Sequence, residues 1–308
     1  MKRKKFDVVV VGGAGIDTNV YLYGTDIDFN VEANFAENLD YVGQTGGYAA
    51  RGFAQLGKRT ALIDYVGDDY QGKFIRREMK KDGVNIDAFF IDPAGTRRSV
   101  NFMYKDGRRK NFYDGKGSMM IMPEVKACRT ILSQTLLAHF SIINWTRHLL
   151  PLARQLGITI ACDLQDVVSV DDPYRRDYIE YADILLFSSV NYQDPVPLIR
   201  RFLESKPERI VIVGLGGKGC ALGMCNGVQF FGAVDLPGLV VDTNGAGDAL
   251  AVGFLASYCI DGYSLEDSVV RGQIAARHAC TLKGTSSNLI TKESLDTYFN
   301  PLKRNAAH

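Results

Sequence analysis

The sequence predicts an α/β fold: a doubly wound, mostly parallel central sheet flanked by helices, with a small β-sheet lid. Three observations predict it. Short β-branched runs recur along the 308 residues and are apolar on both faces, as central parallel strands are. Helix-like stretches separate them, which implies βαβ units. Two polar segments interrupt the alternation.

Taken in order, "DVVVVGG", starting at Asp7, reads as the first strand. Basic residues ahead of an apolar run can mimic a signal peptide, but Asp7 precedes this run and glycines end it after Val11, so a strand is expected. The first polar segment, 18–44, carries Asp26, Asp28, Glu32 and Glu37. A helix at 48–56, the strand "TALIDYVG" and a helix at 70–82 follow. In the second polar segment, 96–117, "SVNFMY" and "KNFY" flank "KDGRR", and Asp-Gly between alternating runs signals a hairpin. Residues 17–44 and 96–117 are expected to form a lid over a site. The core is then 1–16, 45–95 and 118–308. Its remaining strands are "LLAHFSIIN", "ITIACDL", "DILLFSS" and "RIVIVGLG", with helices at 195–205 and 246–261. Residues 300–308 are expected to fray.

Composition narrows the function. Hydrophobic content of 46% and charged content of 23% suit a soluble protein with a large core. A net charge of +1, from 36 basic and 35 acidic residues, gives no electrostatic case for nucleic acid or anionic membrane as partner. No apolar run approaches the roughly 18 residues of a membrane span. The six cysteines form no C-x-x-C pair and read as buried thiols of a cytoplasmic protein. The four histidines show no metal-ligand spacing.

Chemistry concentrates in "DTNGAGD", 242–248, followed by an apolar run. Gly245 and Gly247 permit positive φ and bare the backbone. A helix starting near Ala246 leaves its first amides unpaired, and its dipole adds positive potential, so the turn suits an anion. Asp248 in that first turn would repel the anion unless it has another task. General base fits: it would take a proton from a hydroxyl attacking a bound phosphoryl group. A glycine turn with an aspartate helix cap is the plainer alternative. Upstream, Gly46-Gly47 stand at a helix entrance where a ligand could approach the backbone, and Asp17 follows the first strand.

"TGGYAARGFAQLG…VGDDYQGKF" resembles the N-terminal signature of the ribokinase-like, or PfkB, carbohydrate kinases. "VVDTNGAGDALAVGFLASY" resembles their C-terminal signature, and "KGTSSN" their closing adenine-side loop. The run through "HACTLKG" is somewhat similar to the ketohexokinase branch. The resemblance covers nearly the whole chain, in order. It implies a ribokinase-like fold and ATP-dependent transfer to a hydroxymethyl group of a sugar or nucleoside. It implies that Asp248 is the base, that Gly245, Ala246 and Gly247 form the anion hole, and that Asp17, Gly46 and Gly47 meet the substrate. Gly214, Gly216, Gly219, Thr243, Lys283 and Gly284 would lie beside the nucleotide. Mg2+ is implied with ATP, K+ at Asp242 in many members, and a homodimer through the lid.

The chain departs from the family at three places. Arg51 stands where a substrate-contacting Asn is usual, and would either pair with an acidic substrate or turn away and brace the lid. The family's N-x-x-E, which orders magnesium, has Asn191 and Asp194 as candidates, shifted from the expected position near Ser188. Arg97, Arg98, Arg108, Arg109 and Lys110 make the lid hairpin basic.

Other classes fit less well. "VGGAGID" is not G-x-G-x-x-G, and no acid ends a second strand where a dinucleotide site needs one. "GLGGKGC" lacks the Ser or Thr of a P-loop. A non-catalytic sugar- or nucleotide-binding protein remains the alternative from another class, and a nucleoside kinase the alternative within kinases.

Overall fold

The computed structural model describes residues 4–169 and 171–305. Strand β1 (Val8–Val11) enters a large sheet; β2 (Gly15–Leu22) and β3 (Ala36–Gly43) leave it, and α1 (Thr45–Gln55) leads back to β4 (Thr60–Val66). Then come α2 (Tyr70–Lys81), β5 (Asn85–Ile91) and the hairpin β6 (Arg98–Met103) and β7 (Arg109–Asp114). The alternation resumes with α3 (Val125–Leu132), β8 (Leu137–Ser141), α4 (Leu150–Gln155), β9 (Thr159–Asp166), α5 (Arg176–Tyr181), β10 (Ile184–Ser188), α6 (Val196–Ser205) and β11 (Ile210–Gly214). The hairpin β12 (Cys220–Met224) and β13 (Gly227–Phe231) precedes α7 (Ala246–Leu255), α8 (Leu265–Ala279) and α9 (Lys292–Asn305).

The large sheet has nine strands in the order β13-β12-β11-β10-β9-β8-β1-β4-β5, parallel except for the β12–β13 edge. Both faces are covered, so alternate residues of one strand serve different cores. Val8 and Val10 pack with α1, α7 and α8, while Val9 and Val11 pack with Phe140, Trp145 and Leu149. Because the chain runs outward from β1 in both directions, the crevice at the carboxyl ends of β1, β8 and β9 is where such a sheet binds its ligand.

A smaller sheet, β3-β2-β6-β7, is formed by the two polar segments. Its alternation is inverted relative to an ordinary half-buried sheet. Register places Asp17, Asn19, Tyr21, Tyr41, Ser99, Asn101, Arg109 and Asn111 on one face, and Val20, Val100, Phe102 and Phe112 on the other, beside Thr18, Asp40, Arg98 and Lys110. The polar face is the one that meets the large domain, since Asn19 and Tyr21 bond to Asp242.

Two expectations need correction. Residues 300–305 do not fray: α9 runs to Asn305, held by Leu295 and Phe299 in the core, and 306–308 lie outside the described residues. The long helix expected at 246–261 is α-helical to Leu255 and then widens into a π-helical turn, Ala256–Ile260. Asp17 lies within β2, on the polar face of the smaller sheet.

Candidate active site

The crevice is built where three separate pieces of chain meet. The turn 242–245 enters α7 with Gly245 at φ 78°, in the left-handed region that favours glycine. A Cβ there would also lie 2.4 Å from the Tyr48 ring, so glycine is required twice over. Within the expected anion hole, the Ala246 amide is already bonded to the Thr243 carbonyl at 3.3 Å. Gly247 faces open space, with no atom within 4 Å of where its Cβ would lie.

Asp248, in the first turn of α7, is only partly covered. Removal from water pushes its carboxyl well above the usual range. The charges of Asp163 and Asp17 push it further, while a hydrogen bond to Thr45 and the Arg109 charge act against this. Gln165 donates to Thr45 Oγ1 at 3.2 Å, so Asp248 is oriented from β9 through α1. Gln165 has φ 58°, a sparsely populated conformation for a non-glycine residue at a site of this kind.

Asp163 lies in the buried part of β9, next to its last buried residue Leu164, and is lifted to about 6 by burial, against a hydrogen bond from the Gln165 amide at 2.8 Å. Asp17 is likewise lifted to about 6 by burial, offset by hydrogen bonds from Gln44, Asn244 and Ser99 and by the charge of Arg109. Among the described residues, Asp17 Oδ1 and Gln44 Nε2 are buried without a hydrogen-bond partner, one a spare acceptor and the other a spare donor. Gln44 stands just ahead of α1 at φ 61°, its side chain folded over Gly15.

Asn244 ties the turn to the smaller sheet. Its amide nitrogen lies 3.0 and 3.1 Å from the Tyr41 and Tyr48 hydroxyls and 3.3 Å from Asp17 Oδ2, and its oxygen accepts from Arg109. Burial and the charge of Asp17 raise the Tyr41 phenol, whose oxygen also accepts from the Tyr48 hydroxyl at 3.1 Å.

Other expected site residues serve different roles. Gly46 admits backbone, but the chain's own: a Cβ would sit 1.8 Å from the Gly12 carbonyl oxygen, and the Gly46 amide bonds to Gly13. Gly47 is tight against Val42. Arg51 turns to Asp82 at 2.6 Å and to Ser286 at 3.2 Å, bracing the end of α2 and the closing loop. Asn191 donates to the Val167 carbonyl, and Asp194 caps the start of α6 through the Val196 amide. No group of three or more metal-ligating side chains of the His, Cys, Asp and Glu type occurs among the described residues. Gly214, Gly216 and Gly219 line the β11–β12 connection, where Gly219 packs against the Phe231 carbonyl. Thr243 is exposed in the turn. Lys283 pairs with Glu37, and the Gly284 amide lies 3.3 Å from the Tyr21 hydroxyl, so both touch the smaller sheet.

The "pfkB family carbohydrate kinase" pattern matches residues 5–292. The chain belongs to the pfkB family of carbohydrate kinases. It is therefore a phosphotransferase with an alcohol group as acceptor, in a family that uses ATP. The acarbose 7(IV)-phosphotransferase of Actinoplanes sp. is 31% identical over 94% of this chain and 97% of its own. A 5-dehydro-2-deoxygluconokinase of Listeria monocytogenes is 24% identical over 95% of each chain. Among solved structures, a microbiome-derived acarbose kinase superposes with a TM-score of 0.88 at 29% identity, covering 96% of this chain and 99% of the other. Arabidopsis thaliana ribokinase with ribose and ATP shares the fold at a TM-score of 0.78 and 21% identity, over 96% and 99%. Among the described residues no helix of this pfkB kinase is long and apolar enough to cross a membrane.

Sequence motifs pointed to Asp248, Asp17 and the glycine turn. They gave Arg109 only as one of the basic residues of the hairpin, and did not single out Asp163, Gln44, Gln165, Thr45 or Asn244. Of these, only Asp163 carried a signal, as an acid at the carboxyl end of a buried strand.

Proposed function

We infer that this chain transfers the γ-phosphate of ATP to a hydroxymethyl group of a sugar, with Asp248 as general base and the turn amides as anion hole. The carrying observation is the unpaired pair Asp17 Oδ1 and Gln44 Nε2, buried in the same crevice. A sugar hydroxyl both donates and accepts, so one or two hydroxyls would satisfy both atoms and remove the cost of leaving them unmade. Asp248 takes the proton of the attacking hydroxyl, its elevated basicity suiting it to that task better than an ordinary aspartate. Gly247 leaves room for the transferring group, and the start of α7 stabilises its charge. Mg2+ bound with the ATP phosphates would need one or two carboxylates; Asp163 would supply one, and a cation there would relieve its repulsion with Asp248. The smaller sheet acts as the lid, 17–44 and 96–117, over the core, and its outer face joins two copies.

The relatives named for acarbose make that compound the first substrate to assay. ATP consumption is to be measured with acarbose, ribose, 5-dehydro-2-deoxygluconate and a set of nucleosides. At least one sugar is expected to turn over, and Asp248→Asn to lower kcat roughly 10²-fold or more with sugar binding retained. Near wild-type turnover in that variant rejects Asp248 as base. Silence across the whole set favours a non-catalytic binding protein.

A further inference from the structure

We propose that Asp242 anchors the lid in place of a monovalent cation, through a relay of asparagine side chains, so that this kinase works without K+. The proposal rests on the kinase reading above.

Asp242 opens the turn that ends in Asp248, and is 2% exposed. An ionised carboxylate only accepts hydrogen bonds, and a K+ ion held by it would need further oxygen ligands around it. The hydrogen-bond partners of this carboxylate among the described residues are donors. Asn19 Nδ2 lies at 3.0 Å and the Tyr21 hydroxyl at 2.5 Å from Oδ2, and the Asn244 amide donates to Oδ1 at 2.8 Å. Each presents the positive end of its dipole. The closing loop adds Lys283, whose ammonium lies 4.6 Å from the centre of the Tyr21 ring, and the Gly284 amide on the Tyr21 oxygen. This donor set suits an anion and disfavours a cation.

The donors also come from the lid, and they are linked. Asn19, Asn101 and Asn111 are direct cross-strand neighbours on β2, β6 and β7. Asn111 Nδ2 donates to Asn101 Oδ1 at 2.8 Å, Asn101 Nδ2 to Asn19 Oδ1 at 2.9 Å, and Asn19 Nδ2 to Asp242. The acceptor-only end sets the orientation of every amide in the row. Arg109, two residues before Asn111 on β7, reaches Asn244 and forms a second tie to the same turn. Three strands of the lid thus converge on the turn that bears the base. Asn19 and Tyr21 are positioning residues: they act on Asp248 through Asp242.

The test compares KCl with tetramethylammonium chloride at equal ionic strength. Thermal melting reads cation binding without substrate, so it stands even if the kinase reading fails. Wild type is expected to melt at the same temperature in both salts and to turn over at rates within about twofold. A K+-specific rise in melting temperature, or activation by K+ of about tenfold or more, overturns the proposal. Tyr21→Phe removes one donor at nearly constant shape, and Asn111→Ala removes the outermost relay member on an exposed strand. Both are expected to lower kcat, Tyr21→Phe by about tenfold, with sugar KM changed less than about threefold. A Tyr21→Phe enzyme with wild-type kcat rejects the positioning role.

Discussion

Asp248 must be ionised to accept a proton, yet its surroundings oppose ionisation. Burial contributes most, then the charges of Asp163 and Asp17. Its folded-state acid is thus raised above that of the unfolded chain, ordinarily about 3.9. Over the interval between the two values the folded state keeps a proton that the unfolded state releases, so stability present at low pH is lost as pH rises through the folded value. Asp248→Asn removes this one contribution and leaves that of His139, whose burial lowers it to about 4, unchanged in both proteins. The variant is expected to melt near wild type at about pH 4 and increasingly above it toward neutrality. A gap that stays constant across that range would show that the Asp248 acid is not raised. Asp248 was legible in the sequence because its chemistry is local: glycines, a helix start and an acid within seven residues of one another, 242–248. Gln44 and Gln165 were not, because each is a single polar residue whose neighbours in space come from other strands.

At the scale of elements, the five basic residues of the β6–β7 hairpin looked like one surface. Strand alternation divides them. Arg98 leans on Thr18 and Asp40, Arg108 on Asp106 and Asp26, and Arg109 enters the crevice. Arg97 is fully buried against Asp64 of β4 at 2.6 Å, and also donates to the Ala14 carbonyl. This pair sits where the smaller sheet leaves the large one, and Asp64 further accepts from the Ala14 and Tyr65 amides. Removing one partner strands a buried charge. Arg97→Met is expected to cost about 3–5 kcal/mol in denaturant unfolding. The double variant Arg97→Met/Asp64→Asn should recover much of that loss, because Asn keeps an oxygen for Ala14 without the charge. If the double variant is no more stable than Arg97→Met, the charge is not what the pair compensates. Most core strands and helices were legible from periodicity, since their burial is decided by neighbours of the same period. The burial of Arg97 was not, because its partner lies 33 residues away in sequence.

For the whole molecule, the orientation of the smaller sheet bears on assembly. Alternation in "SVNFMY" marks a strand with two unlike faces, but it cannot say which face meets the core. Here the polar face does, since Asn19 and Tyr21 bond to Asp242, and this leaves Val20, Val100, Phe102 and Phe112 outside. Phe112 is 56% exposed and meets the Phe102 ring edge-on at 5.7 Å. All six residues of β7 are exposed, and the strand is the open edge of its sheet. An apolar cluster beside a free edge is a template for pairing, and the same sheet of a second copy would cover both at once. Sedimentation is expected to give a dimer of the 34.0 kDa chain. Phe112→Asp places a charge in that face without touching the polar one, so it should shift the protein toward monomer while ATP binding is kept. Unchanged sedimentation in Phe112→Asp, or a wild type that is monomeric at micromolar concentration, would rule out the outer face of the lid as the contact between copies.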